Sequence, residues 1–232
     1  MPAVLILLTT ALTAPARADP SWAGLRGTAE TLDAGEAVIR LPTGRSSLGV
    51  SDRAEVWVVP FELVLGGTRV GLERQLIDGD GLSWSVSPSV AEKWSLYKTS
   101  LQLASALSWE RSVHRVNLLA AAELRLLRQA SFAEEVTHTL SVDRVHVPLT
   151  VSYDHTRGDT VLRAQLMAPL LDEGEPLTFG VLSGAVIHRF GRFHLDAGAG
   201  LLVGRPSEHL FLGTYEHLLV AAYPRVDLWL SL

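Results

Sequence analysis

Two histidines and an aspartate that lie close together in the chain could perform acid–base chemistry. The stretch HRFGRFHLD contains His188, His194 and Asp196, and a turn over residues 189–192 would bring the three side chains to one face of a hairpin. An imidazole beside a carboxylate can act as a general base with its orienting partner, or as part of a weak metal site. Hydrogen bonds among the three groups, filling the mouth of a barrel, explain the same residues without catalysis, and we favour this interpretation.

Isolated charges elsewhere could act together if the fold brings them to one surface. A ring of charged side chains lets a pore discriminate between ions. Alternatively, acids and bases pair and plug a narrow interior, and the comparable numbers of both signs favour this second interpretation. The lumen or pore candidates are Glu55, Glu73, Glu123, Arg125, Arg163, His188, His194, Asp196 and Asp227.

Other kinds of chemistry find little support in the sequence. Outer-membrane lipases and deacylases place Ser two positions after His, because side chains at i and i+2 of a strand share a face. None of the eight histidines here is followed by Ser at that spacing. We therefore predict no catalytic residue, no cofactor and no metal site. The net charge of −5, without a basic cluster, also argues against a nucleic-acid partner.

The elements that must position these side chains are β-strands. Apolar and polar residues alternate in EAVIRL, RAEVWVV, LSWSVSPSV, VNLLAAAELRLL, RVHVPLTVSY and FHLDAGAGLLV, the period of a strand with one apolar face. Turn sequences such as IDGDG, HTRGD and RFGR separate them. Because bacterial single-chain barrels have even strand numbers, we expect about 12 strands, within a range of about 10 to 14.

The polar face indicates which way the barrel is turned. A soluble barrel would carry many Lys and Glu side chains on its outer face, whereas the polar positions here are mostly Ser, Thr, Gln and Gly with isolated charges. That composition suits a confined lumen, so the apolar face is expected to meet lipid. We predict a single antiparallel transmembrane β-barrel, in which the last strand pairs with the first so that no edge is left open in lipid. The segment 204–224, with poor alternation, is predicted to be an outer loop.

The N-terminal stretch has the features of a signal peptide. AVLILLTTALTA is an apolar run, and Ala16-Arg17-Ala18 provides a small-x-small cleavage pattern. We expect residues 1–18 to be the signal peptide and residues 19–232 to be the barrel domain. The absence of Cys excludes a lipid-modified Cys anchor and a disulfide scaffold.

Two motifs carry a resemblance to a known class of protein. The final VDLWLSL, with alternating apolar residues, resembles the terminal targeting strand of Gram-negative outer-membrane β-barrel proteins, although that family usually ends in an aromatic residue rather than Leu232. SSLGVSDRAEVWV and TAETLDAGE resemble the strand-turn-strand and the opening segment of many small uncharacterised outer-membrane barrels. The resemblance implies this fold and location, with outer-membrane lipids and the barrel-assembly machinery as partners, and it implies no catalytic motif.

The function that we expect is therefore a narrow, porin-like channel or a structural barrel in the bacterial outer membrane, without catalysis. One alternative is a membrane-embedded hydrolase that modifies lipid with the histidines of the lumen mouth. The other is a secreted soluble β-barrel that binds an apolar ligand. The sequence does not identify the solute.

Overall fold

The computed structural model describes residues 28–41, 44–64, 66–79, 81–93, 98–131, 137–173, 178–205 and 219–232. The predicted signal peptide, residues 1–18, lies outside the described residues. Within those described ranges, no α-helix has the length and apolar character needed to cross a bilayer.

The described chain is almost entirely β-strand, with one short helix, α1 (Pro60–Val64), between the third and fourth strands. The strands are β1 (Ala37–Leu41), β2 (Ser46–Ser51), β3 (Ala54–Val58), β4 (Gly67–Gly79), β5 (Leu82–Lys93), β6 (Lys98–Arg111), β7 (His114–Ser131), β8 (Thr137–Arg157), β9 (Thr160–Glu173), β10 (Thr178–Phe190), β11 (Phe193–Arg205) and β12 (Leu219–Ser231).

The strands form one closed antiparallel barrel in which sequence neighbours pair and β12 returns to β1. Val38 lies opposite Ser231 and Leu41 lies opposite Leu228. Beyond these pairs, the backbone N–H of Ala37 donates to the carbonyl of Leu232 at 3.1 Å, and the N–H of Leu232 donates back at 2.8 Å. The predicted barrel fold and the expected number of about 12 strands are thus confirmed.

The two ends of the barrel differ in the length of their connections. At one end, which we call the turn end, two-residue connections at 52–53, 80–81, 112–113, 158–159 and 191–192 join the strands. The first residue of β1 and the last of β12 lie at this same end, since these strands are antiparallel partners. The connection between β3 and β4, which contains α1, belongs to the other end, the loop end, where β11 also ends and β12 begins.

Alternation along each strand sorts the side chains onto the two faces as the sequence predicts. Outward positions on β6, β10 and β11 carry exposed Leu103, Leu182 and Leu201, whereas Ser85, Asn117 and Asp154 point inward and are buried. The interior of this barrel is therefore polar over much of its height, and its outer surface is apolar. That arrangement is the inverse of a soluble β-barrel.

Aromatic side chains gather on the outer surface near the turn end. Trp84, Trp109, Tyr153, Phe190 and Phe193 are exposed there, each within a few residues of a two-residue turn. Large rings with an apolar body are typical of the boundary between hydrocarbon and water in membrane barrels. This band marks one edge of the apolar belt.

The last strand begins earlier than the sequence predicts. The predicted outer loop over 204–224 is wrong in part, because residues 219–224 pair with β11 from Gly204 to Ala199. Their alternation escapes notice because both faces of this part of β12 are apolar or small, as in LVAAYP. The remaining residues, 206–218, lie outside the described chain.

The closing register can be tested by cross-linking, because the chain has no native cysteine. Val38→Cys with Ser231→Cys places two thiols directly opposite each other, so a disulfide should form in the folded barrel. In the control, Val38→Cys with Leu230→Cys, the thiols point to opposite faces and should stay reduced. Thiol counting by mass spectrometry reads the result, and equal oxidation of the two pairs would contradict this register.

Candidate functional site

Eight of the nine sequence-predicted lumen residues occupy inward positions of the barrel. The buried ones are Glu55, Glu73, Glu123, Arg163, His194, Asp196 and Asp227. Arg125 is the eighth, and it lies beside Glu123 with a more exposed side chain. The alternation of side chains along each strand explains why these residues point inward. A role for them in solute passage stays a prediction.

His188 is the exception, and its predicted position is wrong. The turn of the hairpin is Gly191-Arg192, so that Phe190 pairs with Phe193 and Arg189, not His188, lies opposite His194. Gly191 has φ +66°, which a two-residue turn requires and glycine adopts without strain. A register shift of one residue reverses the face. His188 therefore lies on the outer wall, where its ring contacts Phe190 and its Nδ1 bonds the Thr160 hydroxyl at 2.8 Å.

An arginine bridges two carboxylates on the side of β3 and β4. The Arg45 guanidinium lies 3.2 Å from Glu55 and 2.5 Å from Glu73, and it also lies over the ring of Trp57. Two carboxylates side by side repel, and the guanidinium between them offsets that repulsion. Ser85 donates to Glu73 at 2.7 Å, which adds a further hydrogen bond.

A second group lies on β4, β6 and β7. Arg125 donates to Glu123 at 3.1 Å, and Arg69 approaches the same carboxylate at 3.7 Å. Arg69 also donates to Gln102 at 3.3 Å and to Glu62 of α1 at 3.0 Å. Two guanidinium groups therefore share the one carboxylate of Glu123.

A third group is fully buried near the turn end. Arg163 makes two hydrogen bonds to Asp154, at 2.7 and 2.8 Å, and Asn117 donates to the same carboxylate at 3.0 Å. Asn117 in turn accepts from Ser108 at 2.8 Å. The two parallel hydrogen bonds from the guanidinium pair the two charges directly.

The fourth group joins β11, β12 and β1. Arg225 bonds Asp196 at 2.5 Å, and Asp227 lies directly opposite Asp196 in the sheet. The His194 ring stacks on Trp229 with centroids 4.8 Å apart, and the Arg40 guanidinium lies 4.3 Å from the centroid of the same indole. Sequence reasoning missed Arg40, Arg45, Arg69, Asp154 and Arg225, although most share strand parity with residues that it identified.

Within these pairs the two signs are not equally accessible. The side chains of Arg45, Arg69 and Arg225 are 23%, 19% and 19% exposed, whereas their partners Glu55, Glu123 and Asp196 are only 2%, 7% and 3% exposed. In these three pairs the carboxylate is the more buried partner, whereas Arg69–Glu62 and Arg115–Glu30 have the reverse order, with the arginines 19% and 11% exposed and the glutamates 23% and 27% exposed. Accessible groups of both signs therefore face the interior, and Arg45, Arg69 and Arg225 are among them.

A segment before the first strand crosses the interior at the turn end, which the sequence did not predict. We call Thr28–Asp33 the N-terminal segment. Thr28, Ala29, Thr31 and Leu32 are buried in it. Leu32 packs in an apolar cluster at the turn end, and the other members come from β1, β9, β10 and β12: Val38, Val161, Ile187 and Trp229.

Hydrogen bonds attach the N-terminal segment to opposite walls. The Ala29 N–H donates to the Ser108 hydroxyl at 2.8 Å, and the Leu32 N–H donates to the Glu55 carboxylate at 3.1 Å. Glu30 pairs with Arg115 at 2.9 Å. Burial raises the pKa of the Glu30 carboxyl, because desolvation outweighs the favourable charge of Arg115. The segment therefore spans the lumen from β6 and β7 to β3.

Gly49 allows the segment to approach β2 closely. A Cβ atom at this position would lie 2.0 Å from the backbone carbonyl oxygen of Asp33. The chain then turns over 33–36, where the Glu36 N–H donates to the Asp33 carbonyl at 3.0 Å, and enters β1. The N-terminal segment is thus docked by side chains and backbone at the turn end.

The described part of the chain contains no group of three or more His, Cys, Asp or Glu side chains that could hold a metal ion. His188 and His194 also lie on opposite faces of the barrel wall. The group of His188, His194 and Asp196, on which the hydrolase alternative depended, is therefore not formed.

Comparisons with known proteins add little to this geometry. No protein-family model matches the chain, and no curated protein matches it. A solved structure of the NanC porin is similar with a TM-score of 0.49 at 11% identity, covering 84% of this chain and 97% of that chain. At this level of likeness, the fold assignment depends on the strand pairing described above.

The buried Asp154–Arg163 pair should dominate stability among the lumen charges. Arg163→Ala leaves the Asp154 carboxylate buried without its ionic partner, a change that costs about 3–5 kcal/mol. In Arg125→Ala the lost guanidinium is 36% exposed, so a loss of about 0–1 kcal/mol is expected. Urea titrations in lipid vesicles measure both, and losses of equal size would contradict the difference in burial.

Proposed function

We propose that this protein is a narrow outer-membrane channel, without catalytic activity, that the N-terminal segment closes at the turn end. The apolar outer surface, the aromatic band and the closed ring of strands support a membrane location. The same exposed apolar surface disfavours the soluble ligand-binding barrel, in which these side chains would have to meet water.

The observation that carries the proposal is the position of the N-terminal segment. It lies across the lumen with Leu32 3% exposed, whereas inward guanidinium groups farther along the barrel are accessible. Among the described residues, the N-terminal segment thus obstructs the interior at the turn end, whereas accessible guanidinium groups lie nearer the loop end. A segment that is docked across the lumen suits a channel that opens when the N-terminal segment undocks.

The accessible guanidinium groups support a preference for anions. A solute inside the lumen meets Arg45, Arg69 and Arg225 before it meets Glu55, Glu123 and Asp196. Side-chain charges at close range set the selectivity of pores. The proposed channel therefore conducts anions in preference to cations.

Displacing the N-terminal segment should raise the conductance. Leu32→Asp places a carboxylate in the apolar cluster at a cost of at least about 1–3 kcal/mol, which raises the undocked fraction by about tenfold or more. Ala34→Asp, the control, adds the same charge at an exposed position. Single-channel recordings in planar bilayers compare the two with the unchanged chain. Identical conductance in all three proteins would contradict closure by this segment.

Ion preference can be measured as a reversal potential in a KCl gradient. We expect the reversal potential to have the sign of a chloride-preferring pore. Arg69→Gln should move this reversal potential towards zero, because the variant removes a partly exposed positive charge beside Glu123. Arg74→Gln removes the same charge from the outer face and should leave the potential unchanged. If both variants shift equally, the lumen arginines do not determine selectivity.

A further inference from the structure

The barrel wall is much lower on one side than on the others. Strands β1, β2 and β3 have five, six and five residues, whereas β12 and β4, which flank them, have 13 each. At about 3.4 Å per residue, this is about 17 Å of strand against about 44 Å. The four residues 42–45 between β1 and β2 are too few to raise the wall to the level of β12.

This difference leaves a notch beside β12 at the loop end. β1 pairs with β12 only over Leu228–Ser231, and no strand of the described chain pairs with the same edge of β12 over 219–226. Because Leu232 exchanges hydrogen bonds with Ala37, the backbone groups of alternate residues, including Pro224, face this edge. Proline has no N–H to satisfy and is confined to edges of sheets. Pro224 thus suits a strand that is open on this side.

The inner wall next to the notch is apolar, unlike the charged layer nearer the turn end. In one cross-strand row the inward positions of β9–β12 are Met167, Val181, Leu202 and Ala221. In the next row towards the turn end, Tyr223 lies with Gly200, Ser183 and Gln165. The outward neighbours Leu166, Leu182 and Leu201 are also exposed, so this part of the sheet is apolar on both faces. A wall that meets only water on its inner side has no need of such a lining, whereas hydrocarbon would be favoured there.

A guanidinium group lies at the base of this apolar lining. Arg225 is two residues from Tyr223 on the same inward face, and its side chain remains 19% exposed although it bonds Asp196. An apolar cavity of about 770 Å³ lies along the short strands, and its lining includes the outward Ile39, Leu41, Val56 and Val58 together with the inward Val38 and Trp57. The notch therefore lies beside an interior surface that is apolar towards the loop end and carries the partly exposed Arg225, paired with Asp196, towards the turn end.

We propose that this surface binds a single-chain amphiphile with an anionic head, which enters from the bilayer through the notch. Its hydrocarbon chain contacts Leu202 and Val181, and its head accepts hydrogen bonds from Arg225, which has further donors beyond those used for Asp196. The proposal depends on the membrane location proposed above and not on conduction. Charge complementarity at Arg225 favours a carboxylate or phosphate head over a neutral one.

Native mass spectrometry of the full chain, released from a non-ionic detergent with added oleate, tests this site. Retention of one oleate is expected for the unchanged protein and for Leu201→Gln, whose side chain points outward. Leu202→Gln, one residue along and inward, and Arg225→Gln should each weaken retention by about tenfold or more. Circular dichroism confirms that the variants are folded.

Three outcomes would overturn the site. The first is that the unchanged protein retains no oleate. The second is equal retention by the Leu201 and Leu202 variants, which indicates adventitious contact with the outer surface. The third is retention of lysophosphatidylcholine as strong as that of oleate. The measurement is separate from conductance. A protein that retains oleate but does not conduct disproves the channel alone, and one that conducts without retaining oleate disproves the amphiphile site alone.

Discussion

The antiparallel pairing of β1 with β12 is the constraint on which the rest of this structure depends. The reciprocal hydrogen bonds between Ala37 and Leu232 close the ring and set the parity of both strands. Since side chains alternate with a period of two, the same register decides that Arg40 and Trp229 point inward and stack on each other. A shift of one residue would turn these side chains to the outer surface. Closure therefore determines which charges the interior contains.

The two partners of an ion pair in the lumen are not always equally exposed. Carboxylates have short side chains and remain near the wall, where serines and backbone N–H groups bond them, as Ser85 does for Glu73. The longer arginine side chains reach over them, so that Arg45 is far more exposed than Glu55. Counting acids and bases in the sequence suggested an ion-paired plug. The ion pairs are present, but in three of them the longer arginine side chain is the more exposed partner, and the N-terminal segment adds an obstruction at the turn end.

The sequence predicted the features that depend on local alternation, and it failed where a feature depends on a register or on a distant surface. Strand faces, the barrel and the inward placement of Glu55 and Asp196 follow from period two. His188 was misplaced because a turn one residue longer or shorter reverses its face, and the identity of the turn residues alone did not decide this. The docked stretch TAETLD has no strand periodicity, and its burial requires the lumen to exist first. The notch likewise follows from unequal strand lengths, for which only Pro224 provided a local signal.

The N-terminal segment continues directly into β1, and this connection limits how the proposed channel can open. Residues 33–36 form the turn between them, so an undocked segment stays attached beside its own binding surface. An attached group rebinds at a high effective concentration, which favours short openings unless something else occupies Leu32's apolar cluster or the segment itself. Two of its anchors, Ala29 on Ser108 and Leu32 on Glu55, lie on opposite walls. On the side of β6 and β7 the anchors are Ala29 on Ser108 and Glu30 on Arg115. Release of both would free this end while the turn over 33–36 holds, so opening should begin at β6 and β7 and proceed towards β1.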